Sequence, residues 1–199
     1  MLEAQWIKQR YPLFNQKLRR NRQLCSLQLG PVGVPEVVHA QDIDFAREQN
    51  LFGLYANRTA ALEALRVLAE NHHLCLGVLG LEKLAPGRGC FRSMLRQCAG
   101  ACCGRESTAA HHQRLLAALE AVRLACWPYR GAIGLVEEDG NPDVPMTQIH
   151  VIRNWCYLGS VEHVEQAHAL QQVVPGFDAD GYKILCKPVL SGQVRIIKL

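Results

Sequence analysis

Apolar residues recur at intervals of three or four in three stretches of the chain, which is the spacing of an amphipathic helix. These stretches cover residues 2–11, 57–73 and 107–126, and the second can be capped by Asn57 or Thr59. The predicted apolar stripes are Leu2, Trp6 and Ile7 in the first helix, Leu62, Leu65, Leu68 and Ala69 in the second, and Leu115, Leu116, Leu119 and Val122 in the third.

Shorter alternating runs predict β-strands, two of them before the second helix, at residues 24–29 and 35–40. The end of the chain has the pattern of a small α/β unit. Its predicted elements are an antiparallel meander over 131–138, 147–154 and 155–161, a helix over 162–174, a turn at 178–181, and strands at 182–189 and 194–199. The pattern therefore predicts a mixed α/β fold with a helical, cysteine-rich region before a small α/β C-terminal domain.

Composition indicates a globular protein, since 49% of the 199 residues are apolar and 20% are charged. No apolar run approaches the roughly 20 residues that a membrane helix needs. The first ten residues also lack the apolar segment of a signal peptide. We therefore expect a cytoplasmic protein with reduced thiols. The nine cysteines, an odd number, argue against a disulfide framework.

The net charge of +4 is unevenly distributed along the chain. Residues 1–30 carry +5 and residues 83–105 carry +5, whereas residues 31–82 carry −4 and residues 106–199 carry −2. Two basic segments in an otherwise acidic chain favour contact with a polyanion such as DNA. A solvated helix surface is the alternative interpretation of each segment alone.

Four cysteines follow the spacing C-x14-C-x7-C-x3-C, namely Cys75, Cys90, Cys98 and Cys102. Four thiolates can hold a tetrahedral zinc ion or an iron–sulfur cluster. Zinc sites usually take ligands in pairs two to four residues apart, and only the last two cysteines fit that rule. The uneven spacing fits an iron–sulfur cluster better. The remaining interpretation is that these cysteines are small buried apolar residues.

The residues around the four cysteines add further expectations. Arginines nearby should lower the pKa of the thiols; they are Arg88, Arg92, Arg96 and Arg105. Four histidines flank the segment, and exposed helix ends are favoured over a ligand role for them; they are His72, His73, His111 and His112. Cys103 is a spare thiol next to the candidate ligand Cys102, and the sequence leaves open whether it belongs to the site. The isolated cysteines should be buried apolar residues; they are Cys25, Cys126, Cys156 and Cys186.

Three motifs in one order resemble the UvrC family of GIY-YIG nucleases. Residues 2–21 (LEAQWIKQRYPLFNQKLRRN) resemble the end of the GIY-YIG domain, with its Leu-Glu-x-x-x-Ile-Lys helix and Pro-x-(Tyr/Phe)-Asn turn. Residues 51–68 (LFGLYANRTAALEALRVL) resemble the segment that leads into the cysteines, and residues 90–102 (CFRSMLRQCAGAC) resemble the run that holds a 4Fe–4S cluster in that family. The chain lacks the UvrB-binding segment and RNase H-like nuclease of full UvrC, and so resembles the shorter members of the family.

The resemblance implies a metal-dependent DNA endonuclease of nucleotide excision repair. It would incise damaged double-stranded DNA on the 3′ side of a lesion, in concert with UvrB. Glu3 would bind Mg²⁺ or Mn²⁺, a hard cation that prefers oxygen ligands, and Asn15 would lie near that metal. The cysteines Cys75, Cys90, Cys98 and Cys102 would hold the iron–sulfur cluster. The basic residues implied to approach the DNA backbone are Lys8, Arg10, Lys17, Arg19, Arg20 and Arg22.

The resemblance also implies a domain organisation. Residues 1–23 would be the C-terminal end of a GIY-YIG domain, 24–106 a strand–helix region with the cysteine cluster, 107–128 a connecting helix and 129–199 the small α/β domain. The family's Gly-Ile-Tyr and Tyr-Ile-Gly strands and catalytic arginine should precede Glu3. We therefore expect an N-terminally truncated chain that is inactive alone. The alternative function is a non-catalytic, metal-stapled module that binds DNA or docks a partner.

Overall fold

The computed structural model of the chain describes residues 23–84, 89–138, 147–171 and 176–199. These residues form two compact units. The first unit consists of residues 23–43 and 49–124, and the second of residues 44–48 and 125–199. Both contain an antiparallel sheet and α-helices, which confirms the predicted mixed α/β class. None of the helices in the described residues is long and apolar enough to cross a membrane.

The first unit contains a three-stranded antiparallel sheet in the order β2-β1-β3. Strand β1 is Cys25–Leu29, β2 is Pro35–His39 and β3 is Leu51–Tyr55. The strands predicted at 24–29 and 35–40 are confirmed. Strand β3 was not predicted, because Gly53, with a φ of 74°, interrupts the alternation of its five residues.

Two long helices and two short helical turns complete the first unit. Helix α1 is Arg58–Asn71, and its N-cap Asn57 accepts a hydrogen bond from the Ala60 N–H at 2.9 Å. Helix α2 is Phe91–Met94, a 3-10 turn is Ala101–Cys103, and helix α3 is Thr108–Glu120. Apolar side chains of the sheet, α1 and α3 form the core, among them Leu27, Phe52, Leu65, Leu115 and Leu119.

Helix α3 is shorter than the predicted helix over 107–126, since it ends at Glu120. The chain then runs beside β3. The Leu124 N–H donates to the Leu51 carbonyl and the Gly53 N–H donates to the Val122 carbonyl, each at 2.8 Å. Val122 was predicted to face the core and is 39% exposed. The unpredicted strand β3 explains the error, because it provides partners for a backbone that would otherwise have continued the helix.

The second unit contains a four-stranded antiparallel sheet in the order β6-β5-β4-β7. Its strands are β4 Ile133–Glu138, β5 Thr147–Arg153, β6 Cys156–Val161 and β7 Arg195–Lys198. The predicted meander and the predicted last strand are confirmed. Helix α4, Val164–Leu170, lies within the predicted helix over 162–174, whose residues 172–174 are outside the described part of the chain.

Helix α5, Ala179–Ser191, contradicts two predictions, the turn at 178–181 and the strand at 182–189. Asp178 caps the helix by accepting from the Asp180 N–H at 3.2 Å, and Gly192, with a φ of 68°, ends it. The side chains that contact the core recur with helical spacing: Tyr182, Leu185, Cys186 and Val189. Pro188 inside the helix obscured that period in the sequence.

Aromatic side chains dominate the core of the second unit. Trp155 is fully buried, and its ring lies edge-on to Trp127 at 5.0 Å and to Tyr182 at 5.2 Å between centroids. Helix α5 passes so close to the β5–β6 turn that a Cβ on Gly181 would lie 2.2 Å from the Trp155 carbonyl oxygen. Glycine at this position therefore sets the distance between the helix and the sheet.

Candidate metal centre

Four sulfur atoms converge in the first unit, those of Cys75, Cys90, Cys98 and Cys102. They all lie within 4.8 Å of one another, and the Sγ atoms of Cys75 and Cys90 are 3.9 Å apart. A tetrahedral ion with metal–sulfur distances of about 2.3 Å places its sulfur ligands about 3.8 Å apart. This is the single group of three or more metal-ligating side chains within the described ranges. The arrangement can hold a metal.

The four cysteines are brought together by short turns between the two long helices. Cys75 lies in the turn after α1, and Cys90 immediately precedes α2. Cys98 follows α2, and Cys102 lies in the 3-10 turn. Gly100 and Gly104 bound that turn with φ values of 91° and 75°, a backbone conformation that favours glycine. The glycines on either side of this turn therefore allow the sharp reversals that the site needs.

Backbone N–H groups point at two of the sulfurs. The Cys90 N–H lies 3.3 Å from the Cys102 sulfur, and the Gly100 N–H lies 3.3 Å from the Cys98 sulfur. Such hydrogen bonds stabilise negative charge on sulfur and fix the direction in which each ligand points. The fold thus supplies outer contacts of the kind that a thiolate-bound metal requires.

The pKa values of the thiols shift in opposite directions within the group. Burial raises the pKa of Cys75, and, together with the Cys102 thiol beside it, raises the pKa of Cys90 to about 12. At Cys102 burial also favours the neutral form. Hydrogen bonds from the Cys90 backbone and from the neighbouring thiols outweigh it and lower the pKa of that thiol. Cys102 is therefore the thiol that these contacts favour as a thiolate.

The expectation that basic neighbours lower the pKa of the thiols is wrong for Cys75 and Cys90. The Arg92 guanidinium pairs with Glu70 at 3.1 Å, and Arg105 donates to the Ser93 carbonyl at 3.4 Å. These cations are held by other partners, and burial dominates at the two thiols. Arg88 lies outside the described residues.

His111 is a residue of the site that sequence reasoning missed. It was expected at an exposed helix end, yet it is 2% exposed, and its Nε2 accepts a hydrogen bond from the Cys75 N–H at 3.0 Å. The signal was present in the helical period, because His111 shares a face of α3 with Leu115 and Leu119. His72 and His73 are exposed, as expected, and His112 is half-buried.

The other cysteines lie apart from the group. The spare thiol Cys103 is exposed and donates to the Gly100 carbonyl at 3.3 Å. Cys25 is fully buried, in agreement with its expected role as a small apolar residue. The remaining three, Cys126, Cys156 and Cys186, are only half-buried.

The remaining site predictions concern residues 1–22, which lie outside the described part of the chain. They are Glu3 as the predicted Mg²⁺ ligand, Asn15 as a residue predicted near that metal, and the basic residues Lys8, Arg10, Lys17, Arg19, Arg20 and Arg22. These assignments stay predictions.

Comparison with known families connects both units to excision nucleases. Residues 24–121 match the UvrC/Cho excinuclease middle domain, and residues 132–199 match the excinuclease Cho C-terminal domain. The chain therefore belongs to the UvrC/Cho excinuclease family, which confirms the predicted resemblance.

Individual relatives give a narrower match. The chain is 55% identical over all 199 residues to proteins named excinuclease cho from Escherichia coli strain K12, Salmonella typhi and Shigella flexneri. It spans 66% of the length of each, just under two thirds. No solved structure is significantly similar.

Proposed function

We propose that the chain is part of a DNA-repair endonuclease that incises damaged DNA on the 3′ side of a lesion during nucleotide excision repair. The observation that carries the proposal is the 55% identity, over every residue of the chain, to proteins named excinuclease. In this proposal the protein acts in the cytoplasm, with UvrB as its partner and damaged double-stranded DNA as its substrate.

The proposed chemistry is metal-dependent hydrolysis of a phosphodiester. Glu3 would supply an oxygen ligand to Mg²⁺ or Mn²⁺, and Asn15 would lie near that ion. Such a metal offsets the charge that develops on the leaving oxygen. The basic segment from Lys8 to Arg22 holds the DNA backbone, and its contacts make binding weaken as salt rises.

The cysteine group is proposed to hold a second kind of metal centre, an iron–sulfur cluster, with a structural role. Thiolates suit zinc and iron rather than magnesium, so this centre is separate from the proposed hydrolytic metal. The resemblance and the uneven cysteine spacing support iron and sulfide. Zinc is the second candidate, because sulfur atoms within 4.8 Å of one another suit one ion better than a cluster in which each sulfur binds a different iron.

A second candidate function is a non-catalytic, metal-stapled module that binds DNA or docks a partner. One observation favours it: the only candidate metal group in the described part of the chain consists of four thiols and contains no carboxylate. On this view the described residues bind DNA or a partner and hold it in position, and hydrolysis depends on groups elsewhere in the protein.

An incision assay separates the two functions. Lesion-bearing duplex DNA is incubated with Mg²⁺, UvrB and the 199-residue chain, or with a chain extended upstream by Gly-Ile-Tyr and Tyr-Ile-Gly strands. We expect the extended chain to incise the DNA and the 199-residue chain not to. Glu3→Gln in the extended chain should abolish incision while DNA binding persists. In this proposal the upstream strands supply the general base, which contributes about 10²–10⁴-fold, so incision by the 199-residue chain should lie near background.

Two results would contradict this proposal. Robust nicking by the 199-residue chain would show that the catalytic site was assigned to the wrong residues. An extended chain that binds but never incises would favour the non-catalytic module. The DNA contact has its own test, because changing Arg19, Arg20 and Arg22 to alanine should flatten the dependence of log affinity on log salt by about 0.9 for each phosphate that is no longer neutralised.

A further inference from the structure

The segment between two of the converging cysteines exposes large apolar side chains. Residues 91–97, here called the exposed loop, lie between Cys90 and Cys98 and consist of the short helix α2 and the three residues after it. Its apolar side chains are among the most exposed in the described chain: Phe91 at 67%, Met94 at 67% and Leu95 at 52%. An exposed apolar cluster of this kind marks a contact surface more often than isolated exposed residues do.

Hydrogen bonds and one ion pair hold the backbone of the exposed loop in place. Its Ser93 is buried, and the Ser93 N–H donates to the Cys90 carbonyl at 3.0 Å. Arg92, whose side chain is 13% exposed, pairs with Glu70 of α1 at 3.1 Å and donates to the Gln97 carbonyl at 3.4 Å. The apolar side chains therefore project from a backbone that the cysteine group and α1 fix, which lowers the entropy cost of binding.

The charge around the loop indicates the partner. Residues 83–105 contain five basic residues and no acidic residue. Arg92 pairs with Glu70 and Glu106 pairs with Arg114, while Lys83, Arg96 and Arg105 are exposed. Arg96 is exposed at the end of the loop. The surface thus combines apolar side chains with unbalanced positive charge.

A nucleic acid with unstacked bases has the complementary chemistry, because its base faces are apolar and its backbone is anionic. A fully paired duplex hides those faces, whereas a distorted duplex exposes them, and proteins use apolar wedges at such steps. We propose that the exposed loop contacts unstacked bases of a distorted DNA duplex, with Phe91 and Met94 against the bases and Arg96 on a phosphate. This inference rests on the proposed function, and it identifies the exposed loop as the surface of the protein that senses distortion of the DNA.

The test compares two duplexes of equal length, one fully paired and one with a short run of mismatched bases, using the metal-loaded 199-residue chain. We expect tighter binding to the mismatched duplex. Changing both Phe91→Ala and Met94→Ala should remove that preference, a loss of about tenfold for one stacking contact, and leave affinity for the paired duplex unchanged. Phe91→Trp should retain the preference.

Matched variants separate the loop from general effects. Val67→Ala removes a side chain of α1 that is 46% exposed and should change neither affinity. Arg96→Ala should weaken binding to both duplexes and reduce the salt slope by about 0.9. Metal content and the circular dichroism spectrum should be the same in all variants, because the altered side chains are exposed.

Three results would overturn the inference. If the alanine variants keep the preference for the mismatched duplex, the loop is not the sensing surface, and the proposed function survives through other contacts. If those variants lose binding to UvrB with DNA binding intact, the loop docks a protein. If the unaltered chain binds neither duplex, or binds both equally, this inference fails, whereas the proposed function is decided by the incision assay with the extended chain.

Discussion

The imidazole of His111 accepts a hydrogen bond from the backbone N–H of Cys75, with 3.0 Å between the two nitrogens. Both residues are almost fully buried, so this bond satisfies a polar group that water cannot reach. It ties helix α3 to the turn that carries one of the four converging thiols. A side chain on a distant element thus orients the backbone of a candidate metal ligand.

The first prediction concerns that bond. His111→Leu removes the acceptor and leaves the Cys75 N–H buried and unpaired, at a cost of about 1–3 kcal/mol. We expect a lower free energy of unfolding and faster loss of metal to a chelator. Urea unfolding and timed metal release measure the two effects. His112→Leu, at the half-buried neighbour, is the control, and equal effects of the two substitutions would deny His111 its positioning role.

The second prediction concerns pH. Burial, more than any neighbouring charge, lowers the pKa of His111 in the folded chain. An unfolded histidine has a pKa of about 6.5, so below that value the unfolded state binds the extra proton more readily and stability falls as the pH falls. We expect the unaltered chain to lose more stability between about pH 7.5 and 5.5 than His111→Leu does.

Comparing the two proteins removes the contribution of the cysteines, which both share. Unfolding free energies measured in reducing buffer across the same range check the prediction. Parallel pH profiles would show that His111 does not titrate differently in the folded and unfolded states.

Sequence patterns located the four converging cysteines because their spacing is a property of the chain itself. The contact between His111 and Cys75 joins residues 36 positions apart and depends on how α3 packs, which periodicity alone does not specify. Strand β3 escaped prediction for a local reason, since Gly53 adopts a left-handed conformation where an alternating pattern expects an ordinary strand residue. The predicted helix was then extended past Glu120, because the strand that pairs with residues 122–124 had not been predicted.

Helix α5 shows that residue composition alone does not determine secondary structure. Residues 182–189 include the aromatic Tyr182 and the β-branched Ile184 and Val189, which are residue types that favour a strand. The cap at Asp178 and the burial of Leu185 and Val189 on one face outweigh that preference.

The third prediction tests the close approach of α5 to the β5–β6 turn. Gly181→Ala would gain about 1 kcal/mol of helix propensity. Its Cβ would, however, meet the Trp155 carbonyl oxygen at 2.2 Å, and a backbone atom cannot move aside as a side chain can. Overpacking of this kind costs about 1–3 kcal/mol, so we expect a net loss of stability and a lower Tm.

Gly176→Ala is the matched control for this substitution. A Cβ at Gly176 meets nothing within 4 Å, and the change should stay within about 0.5 kcal/mol. Calorimetry of the three proteins measures the difference. A Gly181→Ala variant at least as stable as the unaltered chain would mean that the helix and the turn can separate freely.

The fourth prediction concerns the identity of the metal. Protein purified without air should contain iron and acid-labile sulfide and show a brown chromophore, as expected for an iron–sulfur cluster on four thiolates. Cys98→Ser and Cys102→Ser should each lose the metal. Cys103→Ser should retain it, because that thiol is exposed and lies outside the converging group. Metal analysis, sulfide analysis and the visible spectrum are the measurements.

The possible results distinguish the existence of a metal centre from the identity of the metal that it binds. One equivalent of zinc without sulfide would reject the iron–sulfur cluster and keep the centre, and sulfur atoms within 4.8 Å of one another would then be the ligand geometry of a single ion. Full metal content in both Cys98→Ser and Cys102→Ser would reject the centre itself. The four cysteines would then be apolar core residues whose buried thiols stay protonated, as the raised pKa values of Cys75 and Cys90 favour in the absence of a metal.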